Sequence, residues 1–440
     1  MFFGSVIMTL LLSISFAMLV GLMLSRLAKL VSLPAVTAYL VAGIVVGPFC
    51  VGLLKIDGLG FTFESIEHLS VISTAALGFI AFSIGNEFRL SQLKATGKAA
   101  TFIGIFQAIT AALIVDVVLC VMAAFGVLSI PAAIVLGAIA TATAPAATLM
   151  VVRQYKAKGE LTDLLLPIVA IDDAVGLIVF AVSLGVARAL EEGHIDVVSI
   201  IVNPIIEIVA SLLLGSIMGV ILTFIERFFH SRSKRMSMAI AFVFMTVGLS
   251  MLKFEIGPVH IGFSSLLVCM MLGTVFCNLC DYSEELMERV DGWTTPLFII
   301  FFVLSGAELD LSVFANLSVV LIGVTFLIAR AIGKWGGAGV SAKMMKCSPN
   351  VCKYLGITLL PQAGVALGMS DQVKDVLADG HLIRNIVLFS VLVLELFGPL
   401  ATKIALTKAG DIIPENKTSA RGIIPSKHHG PHPKQEKKAK

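Results

Sequence analysis

Leu166-Pro167-Ile168-Val169-Ala170-Ile171-Asp172-Asp173-Ala174-Val175-Gly176-Leu177 sets two adjacent carboxylates in the middle of an apolar run covering residues 162–190. An apolar run of about 20 residues is long enough to cross a bilayer as a helix. An ionised side chain at that depth costs several kcal/mol, so two together point to a use. Neighbours on a helix project about 100° apart. One aspartate can therefore hold a cationic partner while the other lines a cavity. Burial and mutual repulsion favour the protonated acids, whereas a bound cation or an ammonium favours the charged ones. A cation entering such a site must displace protons, and the two acids titrate as a coupled pair.

The composition agrees with a lipid solvent. Of 440 residues, 58% are hydrophobic and 14% charged, against roughly 25% charged in a soluble domain. Further apolar runs lie at about 5–25, 34–54, 66–86, 99–125, 130–152, 197–229, 236–252, 259–278, 292–307, 312–342, 354–371 and 381–407. With the run at 162–190 they predict an all-α polytopic membrane protein of about thirteen spans. The first run has no basic residue before it and no small-residue cleavage site after it, so it reads as a span rather than a removable signal.

Cytoplasmic loops are enriched in lysine and arginine. With the N-terminus outside and the C-terminus inside, the outer side receives Lys55, Arg188, Lys253, Lys374 and Arg384 from a total of 32. Arg330 and Lys334 fall within a span, and the rest lie inside. The expected localisation is a multi-pass cell (inner) membrane protein. Residues 409–440, rich in Lys, Pro, Gly and His, read as a disordered basic cytoplasmic tail able to touch anionic lipid. Cys277-Asn278-Leu279-Cys280 has redox or zinc spacing, but no second pair or histidine cluster joins it, which points to packing at a helix end.

Thirteen spans divide into six, a linker and six. The fifth span of the first half contains Thr141-Ala142-Thr143-Ala144-Pro145; that of the second contains Pro361-Gln362-Ala363-Gly364. Proline removes a helix hydrogen bond and clashes with the preceding turn. Breaks at matching places in two inverted halves, with an ion site where they meet, are a transporter design. The Thr141 and Thr143 hydroxyls and the freed carbonyls are hard oxygen donors suited to a small cation. Pro145, Pro361, Gln362 and Gly364 would support the breaks.

Few other ionisable residues are deep. Lys334 lies among glycines in Gly333-Lys334-Trp335-Gly336-Gly337, which lets its helix approach a neighbour closely. A buried ammonium changes protonation more readily than a guanidinium, so Lys334 is the favoured partner of the aspartates and Arg330 the second candidate. Glu395, in the sixth span of the second half, is expected to satisfy the second broken helix or to contact the ion. Asp116 and Glu207 read as structural.

These segments, together with Leu33-Pro34-Ala35-Val36-Thr37-Ala38-Tyr39-Leu40-Val41-Ala42-Gly43 and Gly47-Pro48, resemble the bacterial monovalent cation:proton antiporter-2 family over essentially all spans. The resemblance implies a scaffold or dimer domain at 1–95 and 236–311, a moving core at 96–192 and 312–408, and a linker helix at 193–235. It implies elevator-type alternating access, a homodimer, and electrogenic exchange of Na+, or of Li+ or K+, for protons in pH homeostasis. Asp173 would bind the cation, and Asp172 would pair with Lys334. No cofactor and no nucleic-acid partner are expected beyond the transported ions and membrane lipid. The potassium-efflux members usually carry Gln-Asp and a following nucleotide-binding domain, and this sequence departs from both. A channel needs no titratable pair. A sodium-coupled organic-solute carrier could share crossed breaks. An intramembrane aspartyl protease needs its aspartates on separate helices, so no enzyme is expected.

Overall fold

The computed structural model describes residues 2–30, 33–54, 56, 58–86, 88, 90–192, 203–252, 254–256, 259–280, 282–309, 311–374 and 376–412. Among the described residues there are fifteen α-helices: α1 (Phe2–Leu30), α2 (Ala35–Val46), α3 (Phe63–Asn86), α4 (Leu90–Ala124), α5 (Ile130–Ile139), α6 (Pro145–Tyr155), α7 (Glu160–Glu192), α8 (Asn203–Glu226), α9 (Arg232–Ser250), α10 (Ser265–Leu279), α11 (Ser283–Glu308), α12 (Leu317–Met344), α13 (Pro349–Thr358), α14 (Gly364–Lys374) and α15 (Gly380–Ala409). Among the described residues, nine helices are long and apolar enough to cross a membrane. The fifth and twelfth expected spans are each divided in two, as α5/α6 and α13/α14.

The helices wear their apolar surface outward as well as inward. Leu19 and Met23 on α1, Leu113 and Val117 on α4, and Leu321 and Ile328 on α12 are all exposed. In water such a belt would aggregate; against acyl chains it is the expected surface. The polar groups turn the other way. On α12 the buried stripe runs Val319, Ile322, Phe326, Arg330, Gly333, Lys334, Gly337 and Ser341, the three-and-four spacing of one helix face. Both intramembrane cations therefore face protein.

Two packing groups result. Helices α1–α3 pack with α8–α11, and α4, α5 and α7 pack with α12–α15. Between α4 and α12 the backbones nearly touch. A Cβ at Gly333 would fall 2.7 Å from Ala111 Cα, and one at Gly337 would fall 3.0 Å from Gln107 Cα. Polar contacts also join the two groups. Arg153 on α6 pairs with Asp291 on α11 at 2.7 Å, the Ala35 N–H donates to Gln154 Oε1 at 2.8 Å, and Thr37 Oγ1 donates to the Leu396 carbonyl at 3.4 Å.

Two expectations need correction. The ninth span does not begin at residue 259. Val259–Ile261 pairs antiparallel with Phe254–Ile256 as a short hairpin, and the Ser264 hydroxyl caps α10 by accepting from Leu267 N–H. The tail also begins later than residue 409. Gly410 adopts φ +94°, a left-handed C-cap that suits glycine, and turns Asp411 back onto α7. Residues 413–440, where the rest of the tail was expected, lie outside the described residues, as do 193–202 at the start of the linker span.

Asp411 acts as a cap supplied from the far end of the chain. Its Oδ2 accepts from both Thr162 N–H and Thr162 Oγ1 at 2.7 Å, and its own carbonyl accepts from Lys158 N–H at 3.0 Å. The first N–H groups of a helix have no partner of their own, and a carboxylate there also meets the positive end of the dipole. Replacing such a cap by alanine costs about 0.5–2 kcal/mol. Asp411→Ala should accordingly lower the thermal midpoint of the detergent-solubilised protein, while Asp411→Asn keeps most of it.

Candidate functional site

Each broken span stops for a readable reason. Pro145 occupies the first turn of α6, where its missing N–H is not needed and its fixed φ suits the helix. Upstream, residues 140–144 leave the helix, and Ala144 is extended, with φ −84° and ψ 103°. In the second half, residues 359–363 separate α13 from α14, and Gly364 opens α14. The two breaks meet directly: the Ala144 N–H donates to the Pro361 carbonyl at 2.8 Å. Gln362 stitches them again. Its Nε2 donates to the Ile139 carbonyl at 3.0 Å, and its Oε1 accepts from Ser390 Oγ at 2.9 Å.

Breaking a helix inside a bilayer exposes carbonyls with no water to satisfy them, each costing several kcal/mol. Arg330 answers most of that demand. Fully buried, it donates from Nε to Ala140 O at 3.0 Å, from one terminal nitrogen to Leu360 O at 2.7 Å, and from the other to Ala142 O at 2.6 Å. Two of these carbonyls belong to the first break and one to the second. The guanidinium also lies at the C-terminal ends of α5 and α13, where the helix dipoles are negative. The sequence made Arg330 a second candidate for pairing with the aspartates; its donors go to backbone instead, because its planar fork reaches three diverging carbonyls.

One turn further on α12, Lys334 is also fully buried. Its Nζ donates to Thr141 O at 2.6 Å, Thr143 Oγ1 at 3.0 Å and Asp172 Oδ2 at 2.6 Å. An ammonium has three hydrogens, and all three are used. Asp172 accepts at Oδ2 from Lys334 and from the Thr143 hydroxyl. At Oδ1 it accepts from Gln107 Nε2 at 2.6 Å. Asp173, 3% exposed, is treated differently: neither of its carboxylate oxygens has a hydrogen-bond partner. The approximately 100° between neighbouring helix positions turns one acid into the polar cluster and the other away from it.

Glu395 is buried on α15, but the α15 group that reaches the second break is Ser390, through Gln362. A serine near mid-helix satisfies an amide without the cost of a buried charge. Asp116 sits on α4 against Gly137, where a Cβ would lie 1.7 Å from Asp116 Oδ1, and that oxygen has no partner. Glu207 lies in the first turns of α8, a helix that packs chiefly against α10 and α9. Cys277 approaches the backbone of α3 at its C-terminal end, and Cys280 donates to Glu226 at 2.8 Å.

Gln107 and Ser390 were missed. Neither is ionisable, so charge at depth does not single them out. A glutamine in the apolar run at 99–125 was a signal available in the sequence, since an uncharged amide in lipid must also find partners.

The profile of a family described as sodium/hydrogen exchanger, transmembrane, matches residues 14–408 of this chain. A high-affinity Na(+)/H(+) antiporter, NhaS3 of Synechocystis sp., is 23% identical over 274 residues, which is 61% of this chain and 57% of that protein. The chain thus spans little more than half the length of this relative. Two solved structures of the sodium proton antiporter MjNhaP1 from Methanocaldococcus jannaschii share the fold. One, at pH 8, superposes with a TM-score of 0.66 at 18% identity, covering 92% of this chain and 99% of that one. The other gives 0.68 at 17% identity, covering 91% and 98%.

If Arg330 holds the crossing together, Arg330→Met should leave three buried carbonyls unsatisfied, at about 1–3 kcal/mol each. The expected outcome is loss of monodisperse protein on size-exclusion chromatography in detergent. Arg330→Lys, whose single nitrogen cannot span both breaks, should recover it only in part.

Proposed function

The chain belongs to the transmembrane sodium/hydrogen exchanger family, and on that premise we propose that it exchanges a monovalent cation, sodium first, for protons across the membrane. The family is one of transporters rather than enzymes, and the nine long apolar helices make this a multi-pass membrane protein. One observation carries the reading: Asp173 is a buried carboxyl with both oxygens unpartnered, beside a neighbour whose oxygens are fully engaged. A bare carboxylate so buried is costly. Asp173 therefore holds a proton or the transported cation, and exchanges one for the other. The Thr141 hydroxyl, which lies against Gly176 one turn along α7 from Asp173, supplies a further oxygen.

Charge movement follows from the same cluster. If Lys334 releases its proton during the cycle, together with the one displaced from Asp173, more than one proton moves for each cation. The exchange is then electrogenic, and each net charge gains about 2.3 kcal/mol per 100 mV of membrane potential. Alternating access is elevator-like: the group of α4–α7 and α12–α15 slides against the group of α1–α3 and α8–α11, which also forms the homodimer contact. Such sliding must break the Arg153–Asp291 pair and the Gln154–Ala35 hydrogen bond, which join the two groups. Thirteen crossings, with the N-terminus outside and the C-terminus inside, complete the topology.

Dequenching of a pH dye in proteoliposomes, on adding sodium, lithium or potassium in turn, tests both exchange and cation preference. Asp173→Asn should reduce sodium-dependent dequenching to the protein-free background while the protein still inserts and elutes normally. Full flux in that variant would reject Asp173 as the exchange site.

Lys334→Gln removes a proton carrier and leaves Asp173 in place. Exchange should persist, weakened, and lose its dependence on an imposed potential. Wild-type protein that produces no sodium-driven current on a supported membrane would instead show that Lys334 serves structure alone.

A further inference from the structure

We propose that Gln107 is a positioning residue that keeps the Lys334 ammonium off Asp173 and so leaves Asp173 to the transported cation. The inference rests on the exchange reading above and adds a residue to it.

Gln107 is fully buried on α4. Its Nε2 spends one hydrogen on the Gly104 carbonyl, at 3.1 Å, and the other on Asp172 Oδ1, at 2.6 Å. Turned over, the amide would set its oxygen against both of these acceptors, so the Gly104 carbonyl fixes Gln107 as a donor. Retreat is blocked as well, because the bare Gly337 of α12 lies directly against the Gln107 backbone.

Asp172 is thereby pinned at both oxygens, by the amide on one and by Lys334 and Thr143 on the other. A carboxyl held at one oxygen alone can turn about its Cβ–Cγ bond. The competing destination for the lysine is adjacent: Asp173 is the next residue, unpartnered, and within electrostatic reach of the ammonium. In a dry site the attraction between such charges is strong. An ammonium that settles on Asp173 occupies the oxygens the cation needs. By holding Oδ1, Gln107 keeps Oδ2 facing Lys334 and all three ammonium hydrogens engaged elsewhere.

The test is a double-mutant cycle of Gln107→Met, which keeps the side-chain length without a donor, with Lys334→Gln, both reconstituted for sodium-dependent proton flux. A hydrogen bond to a charged group is worth enough to change an equilibrium on the order of tenfold. In the Lys334 background, Gln107→Met should raise the apparent KM for sodium by about that factor while Vmax at saturating sodium is retained. In the Lys334→Gln background, the same substitution should leave KM where it is. A KM rise that persists without the lysine, or a fall in Vmax with KM unchanged, would overturn the proposal in favour of simple packing.

Sodium-dependent thermal stabilisation of the four purified proteins gives a readout that needs no transport, and the same pattern is expected there. If Gln107→Met does not fold, Gln107→Asn, whose amide stops one methylene short of Asp172, takes its place. A wild type without exchange would count against the transport reading alone. The stabilisation pattern would still decide the role of Gln107.

Discussion

Two helices that stop inside the bilayer present backbone carbonyls where no water can meet them, and most of the buried polar structure of this protein answers that constraint. The break in the first half is bonded to the break in the second through Ala144 and Pro361. Gln362 and Ser390 secure the crossing from the side. Arg330 and Lys334 then supply four donors to its carbonyls, at Ala140, Thr141, Ala142 and Leu360. Without two cations on one helix face, the crossing would be a set of unpaired dipoles in hydrocarbon.

That solution creates the chemistry. Lys334 brings charge to the centre of the protein, and a buried ammonium needs a carboxylate; Asp172 provides it. The pair is satisfied so completely, with Gln107 and Thr143 added, that it leaves the neighbouring Asp173 with nothing to bond. Position on the helix, rather than any difference in residue type, separates the fully bonded acid from the one with no hydrogen-bond partner. The glycines of α12 make the separation possible, because Gly333 and Gly337 let that helix press against α4 and bring Lys334 to Asp172 and Gln107 together.

Much of the fold was legible because a membrane simplifies the code. Apolar runs mark helices, and Pro145 and Pro361 mark the interruptions, since proline acts on the backbone wherever it stands. Legibility failed where a local apolar or polar pattern competed with a hydrogen-bonding partner that the pattern does not show. Val259 and Ile261 look like the start of a span, yet they pair with residues 254–256 once Ser264 caps the following helix. Asp411 looks like the first residue of a tail, yet it is a cap for Thr162, 249 positions earlier in the chain. Arg330 looked like a second candidate, after Lys334, for pairing with the aspartates. The direction of three carbonyls from the two breaks is what commits the guanidinium to the backbone.

The sequence by itself determined that this is an all-helical membrane protein with two interrupted spans and a deep acid pair, because hydropathy, proline and the cost of buried charge act locally and need no partner. The tertiary structure decided how the deep polar groups are shared out. It assigned Arg330 to the backbone and Lys334 to Asp172, brought in Gln107, and left Asp173 with no hydrogen bond. A hydrogen bond depends on distance and angle between groups far apart in the chain, and those are set only when α4, α7, α12 and the two breaks close on one another.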